Sequence, residues 1–90
     1  MSHLIHDKAR TLARIRRLKG QVEAIERAVE ADKDCGAILH LVASVRGAMS
    51  GLTTDLIEAH LAHHVRDVED AEARRQGSED LVAVLRSYLK

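Results

Sequence analysis

Cys35, His60 and His64 are the residues of this chain best suited to holding a borderline-soft metal ion: a thiol that can ionise, and two imidazoles one helical turn apart. From Cys35 to Arg66 no proline intervenes, and Ile38, Leu41, Val42, Val45, Ala48, Met49, Leu52, Leu56 and Ile57 recur at the steps of a helix. On one straight helix, rising about 1.5 Å per residue, Cys35 and His60 stand roughly 37 Å apart and cannot share an ion. A second copy of the helix laid antiparallel across the first brings them together. Pairing residue 35 with residue 62 puts the midpoint between 48 and 49, inside Gly47-Ala48-Met49-Ser50-Gly51, where small side chains let two backbones approach. The spacing therefore predicts an antiparallel homodimer with metal sites shared between chains.

Two further features bear on those ligands. Asp34 is the best N-cap for the long helix, which sets Cys35 in the first turn, where the helix dipole favours an anionic sulfur. The plainer reading of a lone cysteine is a small buried hydrophobe, and the polar turn argues against it. Residues 1–6 precede any helical period and read as an arm. With Met1 removed, the Ser2 amine beside the His3 imidazole would offer two nitrogens to one cation, although an incidental histidine in a terminal arm is the simpler account.

The elements that must position these groups are aliphatic and helical. Phe and Trp are absent and Tyr88 is the only aromatic, so 90 residues make one small all-α domain near the lower limit for a self-sufficient core. A helix of about 30 residues is too long for so small a chain to cover, which again points to oligomerisation. Lys plus Arg and Asp plus Glu are 14 each, so net charge names no partner. A single cysteine excludes an intrachain disulfide and fits a reducing cytoplasm, and no apolar run reads as long enough to span a bilayer. No Gly-rich phosphate loop, nucleophile–base pair or acidic dyad appears, which sets an enzyme aside and leaves a helical metal-storage or scaffold protein as the rival class.

Charge is distributed more tellingly. Residues 7–31 form the first helix, capped by Asp7, with Leu12, Ile15, Leu18, Val22, Ile25 and Val29 as its expected buried stripe. Lys8, Arg10, Arg14, Arg16, Arg17 and Lys19 lie on it without an intervening acid. Arg10, Arg14, Arg17 and Gln21 fall within a sector of about 60°, away from the apolar stripe. On a lone helix this is a solvated basic face; repeated over two or four copies it becomes a footprint for a double-stranded phosphate backbone.

Helix 2 is expected over 35–66. A polar tract follows, Asp67-Val68-Glu69-Asp70-Ala71-Glu72 and then Ala73-Arg74-Arg75-Gln76-Gly77, reading as a frayed end or a link. Ser78 would cap a last short helix over 79–89, its buried side formed by Leu81, Val82, Val84, Leu85, Tyr88 and Leu89.

The run Ala13-Arg14-Ile15-Arg16-Arg17-Leu18-Lys19-Gly20-Gln21-Val22-Glu23-Ala24-Ile25-Glu26-Arg27 resembles the first helix of the CsoR/RcnR family of small bacterial repressors. So do Cys35, Ala37-Ile38-Leu39, Val45-Arg46-Gly47-Ala48, Gly51-Leu52 and the closing Arg86-Ser87-Tyr88-Leu89-Lys90, so that the resemblance spans the chain. It implies a three-helix protomer, an antiparallel dimer, and a disc-like tetramer that represses transcription until an inducer binds. The four inducer positions of the family fall here on His3, Cys35, His60 and His64, which looks like the nickel/cobalt-sensing branch, with the Ser2 amine as a further ligand. The copper branch would show a second cysteine where His64 stands, and the persulfide branch also needs a second cysteine. The formaldehyde branch is similar at Cys35 but would carry proline where this chain has Ser2. Ni(II) and Co(II) accept imidazole, amine and one thiolate together, whereas Cu(I) prefers two thiolates; Zn(II) and copper are the other metals in view. His63 departs from the acidic residue of the nickel/cobalt branch. The resemblance also implies operator DNA with a G·C tract between A·T-rich repeats, and a regulated metal-efflux gene.

Overall fold

The computed structural model describes residues 7–89. They form three α-helices and no strand: α1 over Lys8–Glu30, α2 over Cys35–Leu61 and α3 over Ala71–Tyr88, with a π-helical turn, Ala62–Arg66, continuing from the end of α2. The described residues fall into two compact units, Asp7–Thr53 and the residues from Thr54 onward, with the boundary inside α2.

In the first unit the helix ends are set by side chains the sequence marks out. Asp7 Oδ1 accepts from the Arg10 amide at 3.4 Å, and Asp34 Oδ2 accepts from the Ala37 amide at 3.2 Å, so both expected N-caps are in place. Between them α1 closes with Asp32 N–H donating to Val29 O (3.1 Å) and Lys33 N–H to Ala28 O (3.0 Å). That is the Schellman pattern, and its left-handed position is held by Asp32 at φ 54° rather than by glycine. Ala28, near the turn, lies across a cleft from Ala37 and Leu41, and Arg14, near the start of α1, reaches Gly51. Those two pairings are the register of an antiparallel helical hairpin.

Little of the expected apolar stripe is covered. Leu18, Ala28 and Leu52 are the buried hydrophobic residues among those described, while Ile15, Val22 and Val29 on α1 and Leu39, Val42 and Met49 on α2 stay exposed. The stripe of α1 was expected to be buried as a whole; two helices offer too few neighbours to enclose it, so only Leu18 of its members is fully covered.

The second unit differs from expectation in where its helix begins. The structure starts α3 at Ala71, not at residue 79, and caps it with Asp70, whose Oδ2 accepts from the Ala73 amide at 2.8 Å. Ser78 is not the cap; inside the helix its Oγ donates to Arg74 O at 3.0 Å. The tract read as a frayed end or link is thus helical from residue 71. It is held by Asp70 and by surface pairs of Arg75 with Glu72 and Glu79 and of Gln76 with Asp80, none of which depends on an apolar period. Arg74 Nη1 reaches back to Val68 O (2.9 Å) and Glu69 O (3.3 Å), satisfying two carbonyls of the connecting turn.

Helix 2 also ends differently. Regular α-helix stops at Leu61, and the Asp67 amide bonds Ala62 O at 3.0 Å, five residues back, so one extra residue is accommodated in the turn that carries His63 and His64. Finally, the expectation that nothing is long and apolar enough to cross a bilayer fails on length and composition: the helical stretch Cys35–Arg66, 32 residues, is both. Very little of that stretch is buried within the protomer, and a helix of this kind equally suits the centre of a soluble helical assembly.

Candidate metal and DNA-contact site

The second unit brings the two histidines together. His60 and His64 have ring centroids 4.7 Å apart with planes inclined by 30°, and both residues are half-buried. His60 Nε2 lies 2.9 Å from Gly77 O. A carbonyl oxygen only accepts, so Nε2 must carry the proton in this bond. In the neutral ring Nδ1 then presents its lone pair, the state in which an imidazole binds metal while its other nitrogen is oriented by a backbone carbonyl.

Gly77 makes this possible. It is buried in α3, and a Cβ added to it would overlap the carbonyl oxygen of His64 and lie 2.8 Å from the carbonyl carbon. Only a glycine lets α3 rest directly on the π-helical turn. One short segment of α3 therefore fixes the His60 ring and abuts the His64 backbone. In the sequence Gly77 only closes the polar tract Ala73-Arg74-Arg75-Gln76-Gly77, which carries no sign of the contact.

The π-helical turn ends in a charged pair. Arg66 Nε and Nη2 donate to the two carboxylate oxygens of Asp67 at 2.9 and 3.0 Å. The Asp67 carboxyl is held below the ordinary range by those hydrogen bonds, and further by the charges of Arg66 and His63.

The other expected ligands lie elsewhere. Cys35 is exposed at the first position of α2, in the first unit. Ser2 and His3 fall outside the described residues. Among the described residues of one chain, no three histidine, cysteine or acidic side chains gather closely enough to hold an ion. An exposed thiol, paired imidazoles and an Nδ1 with a free lone pair form a donor set that fits a late divalent metal, provided the donors are assembled from more than one chain.

Of the basic residues on α1, Lys8, Arg10, Arg16, Arg17 and Lys19 are exposed, and Arg14 is half-buried against α2. Gln21, expected on the same face, is half-buried with its Oε1 enclosed and without a hydrogen-bond partner among the described residues. Its oxygen is shielded from solvent.

A family profile described as metal-sensitive transcriptional repressor matches residues 7–87. The chain belongs to that family. Its resemblance to the CsoR/RcnR repressors is thus established, along with the all-α three-helix fold. Among relatives, it is 37% identical over 90 residues to the transcriptional repressor RcnR of Citrobacter koseri, each chain covered completely. It is 45% identical over 91 residues to an uncharacterized protein encoded in the bioA 5′ region of Serratia marcescens, again over both full lengths. A solved structure of a histidine-for-glutamate variant of the formaldehyde-responsive regulator FrmR, from Salmonella enterica serovar Typhimurium, superposes with a TM-score of 0.86 at 43% identity. That match covers 92% of this chain and 94% of the other. Family members are transcriptional repressors that bind DNA and form oligomers, not enzymes. The storage and scaffold readings fall with that assignment, and the apolar α2 reads as the core helix of a soluble repressor.

Proposed function

We propose that this repressor binds operator DNA in its metal-free form and releases it on binding Ni(II) or Co(II), derepressing a metal-efflux gene. The observation that carries the reading is the adjacent His60–His64 ring pair with the His60 tautomer set by Gly77 O. Cys35 of one protomer completes the site with His60 and His64 of its partner, across an antiparallel dimer that associates into a tetramer. The exposed apolar residues of α1 and α2 are the surface such assembly would cover, and no three-ligand cluster forms among the described residues of one chain, in agreement with shared sites. The Ser2 amine and His3 join from the arm. When bound, the ion acts as a Lewis-acidic tie between donors that otherwise belong to separate chains.

In this account the exposed Lys8, Arg10, Arg16, Arg17 and Lys19, with Arg14 and Gln21 behind them, face the DNA and grip phosphates. His60 and His64 rest on α3 through Gly77, so ligation there pulls on a packed junction rather than on a loose side chain. Release needs only that the ligated form bind DNA less well; a coupling of about 1–3 kcal/mol corresponds to roughly 5–150-fold in affinity.

Formaldehyde response is the second reading, favoured by the likeness to FrmR and by the exposure of the Cys35 thiol. Titration of the repressor on DNA from upstream of its gene, with Ni(II), Co(II), Zn(II), Cu(I) or formaldehyde, separates the two. His60→Ala and His64→Ala should still bind that DNA and lose the nickel and cobalt responses. Release by formaldehyde alone, unaltered in both variants, would replace the metal reading.

A further inference from the structure

Gly51 is an interior residue of α2, where glycine costs about 1 kcal/mol of helix propensity relative to alanine. No positive φ explains it, since no described glycine has one. What lies beside it does. A Cβ built on Gly51 would stand 2.6 Å from Arg14 Nη2 and 3.8 Å from its Cζ, so the guanidinium of Arg14 occupies the space a side chain would take. Among the seven basic residues of α1, Arg14 is the one that is half-buried; the other six are exposed. By contrast, a Cβ on Gly20 or Gly47 would meet nothing within 4 Å.

We infer that Gly51 is a positioning residue for DNA binding: its bare backbone seats the guanidinium of Arg14 and thereby sets where that charge is presented on the α1 face. The inference rests on the proposal that this face grips DNA. An arginine head group is planar and forked, and its contacts depend on orientation as much as on charge, so a fixed seat has consequences a flexible lysine would not feel. The seat also ties the basic face to α2 without any residue of α2 touching DNA.

Gly51→Ala tests this, because the obstructed atom is the tip of a flexible side chain. The guanidinium moves aside, the backbone stays, and the helix gains propensity. Gly51→Ala, Arg14→Ala, Arg14→Lys and the doubles are compared for thermal midpoint, helical circular dichroism, and binding to a duplex from upstream of the gene over a range of salt. The expected result is an unchanged or higher midpoint for Gly51→Ala, with DNA affinity lowered at least about twofold, the lower end of coupling between contacting residues. The salt slope should flatten by about one, as for loss of one phosphate contact. In the Arg14→Ala and Arg14→Lys backgrounds Gly51→Ala should change neither. An equal effect of Gly51→Ala in every background, or no effect where Arg14→Ala weakens binding, overturns the seat. If Gly51→Ala lowers the midpoint instead, insensitivity of the Arg14→Lys background still decides for the seat, and sensitivity decides against it. Unaltered DNA binding by Arg14→Ala would remove Arg14 from the DNA face and the inference with it, a result distinguishable from failure of the seat alone.

Discussion

His60 Nε2 donates to the Gly77 carbonyl at 2.9 Å, and this bond joins the last turn of α2 to the middle of α3. Gly77 serves the junction twice, as acceptor for one histidine and as the gap that admits the backbone of the other. Ligation of an ion by this pair, as proposed, would pass to α3 directly.

Gly77→Ala should therefore destabilise the protein by about 1–3 kcal/mol, the range for overpacking a closed contact, despite alanine's better helix propensity. Urea denaturation followed by circular dichroism reads the loss. Nickel titration of the same variant should show weaker binding, since the His60 ring loses its orienting carbonyl. A melt as stable as the native protein's would mean the α3 contact yields without cost.

Asp70→Ala removes the observed cap of α3 and should cost about 1 kcal/mol. Ser78→Ala, at the residue expected to begin the helix, should stay within about 0.5 kcal/mol, because its hydroxyl only bonds back to Arg74 O on an exposed surface. The order of the two urea midpoints checks the assignment of the helix start.

Asp32 holds a left-handed conformation that glycine adopts without penalty. Asp32→Gly should raise stability by up to about 1 kcal/mol in a differential melt, with no change in metal response. A loss instead would reveal an interaction of the carboxylate that outweighs the backbone strain.

The Asp67 carboxyl is depressed mainly by its hydrogen bonds to Arg66. A depressed carboxyl contributes stability that is present above its unfolded value, near pH 4, and lost as pH falls through the folded value. Arg66→Ala should move the Asp67 titration upward, as followed by carboxyl-carbon NMR, and remove that acid-side contribution. Because both side chains are exposed, the change in midpoint at neutral pH should be slight.

Much of the first unit was legible in the sequence because its signals are local: Asp7 and Asp34 precede helical periods and cap them as expected, and the stretch between closes the hairpin. The second unit was less so. Residues 71–77 carry no apolar period, so the pattern reads as a frayed end or a link where Asp70, Arg75 and Glu72 build a helix. Gly77, which looks like a stop, is instead a point of close approach. The histidine pair was visible as a one-turn spacing, whereas the bond from His60 to α3 depends on a partner seventeen residues away. The α1 stripe was correctly apolar but not buried, since its cover is not within two helices of the same chain.

The wide turn at Ala62–Arg66 has a consequence for chain length as well as for chemistry. Deleting one residue there would let the ladder resume its ordinary pitch, and everything downstream would swing by about 100° around the axis while His60 stayed put. A single-codon loss at Ala62, His63 or Val65 would thus uncouple α3 from His60 and His64 while both histidines remain in the chain.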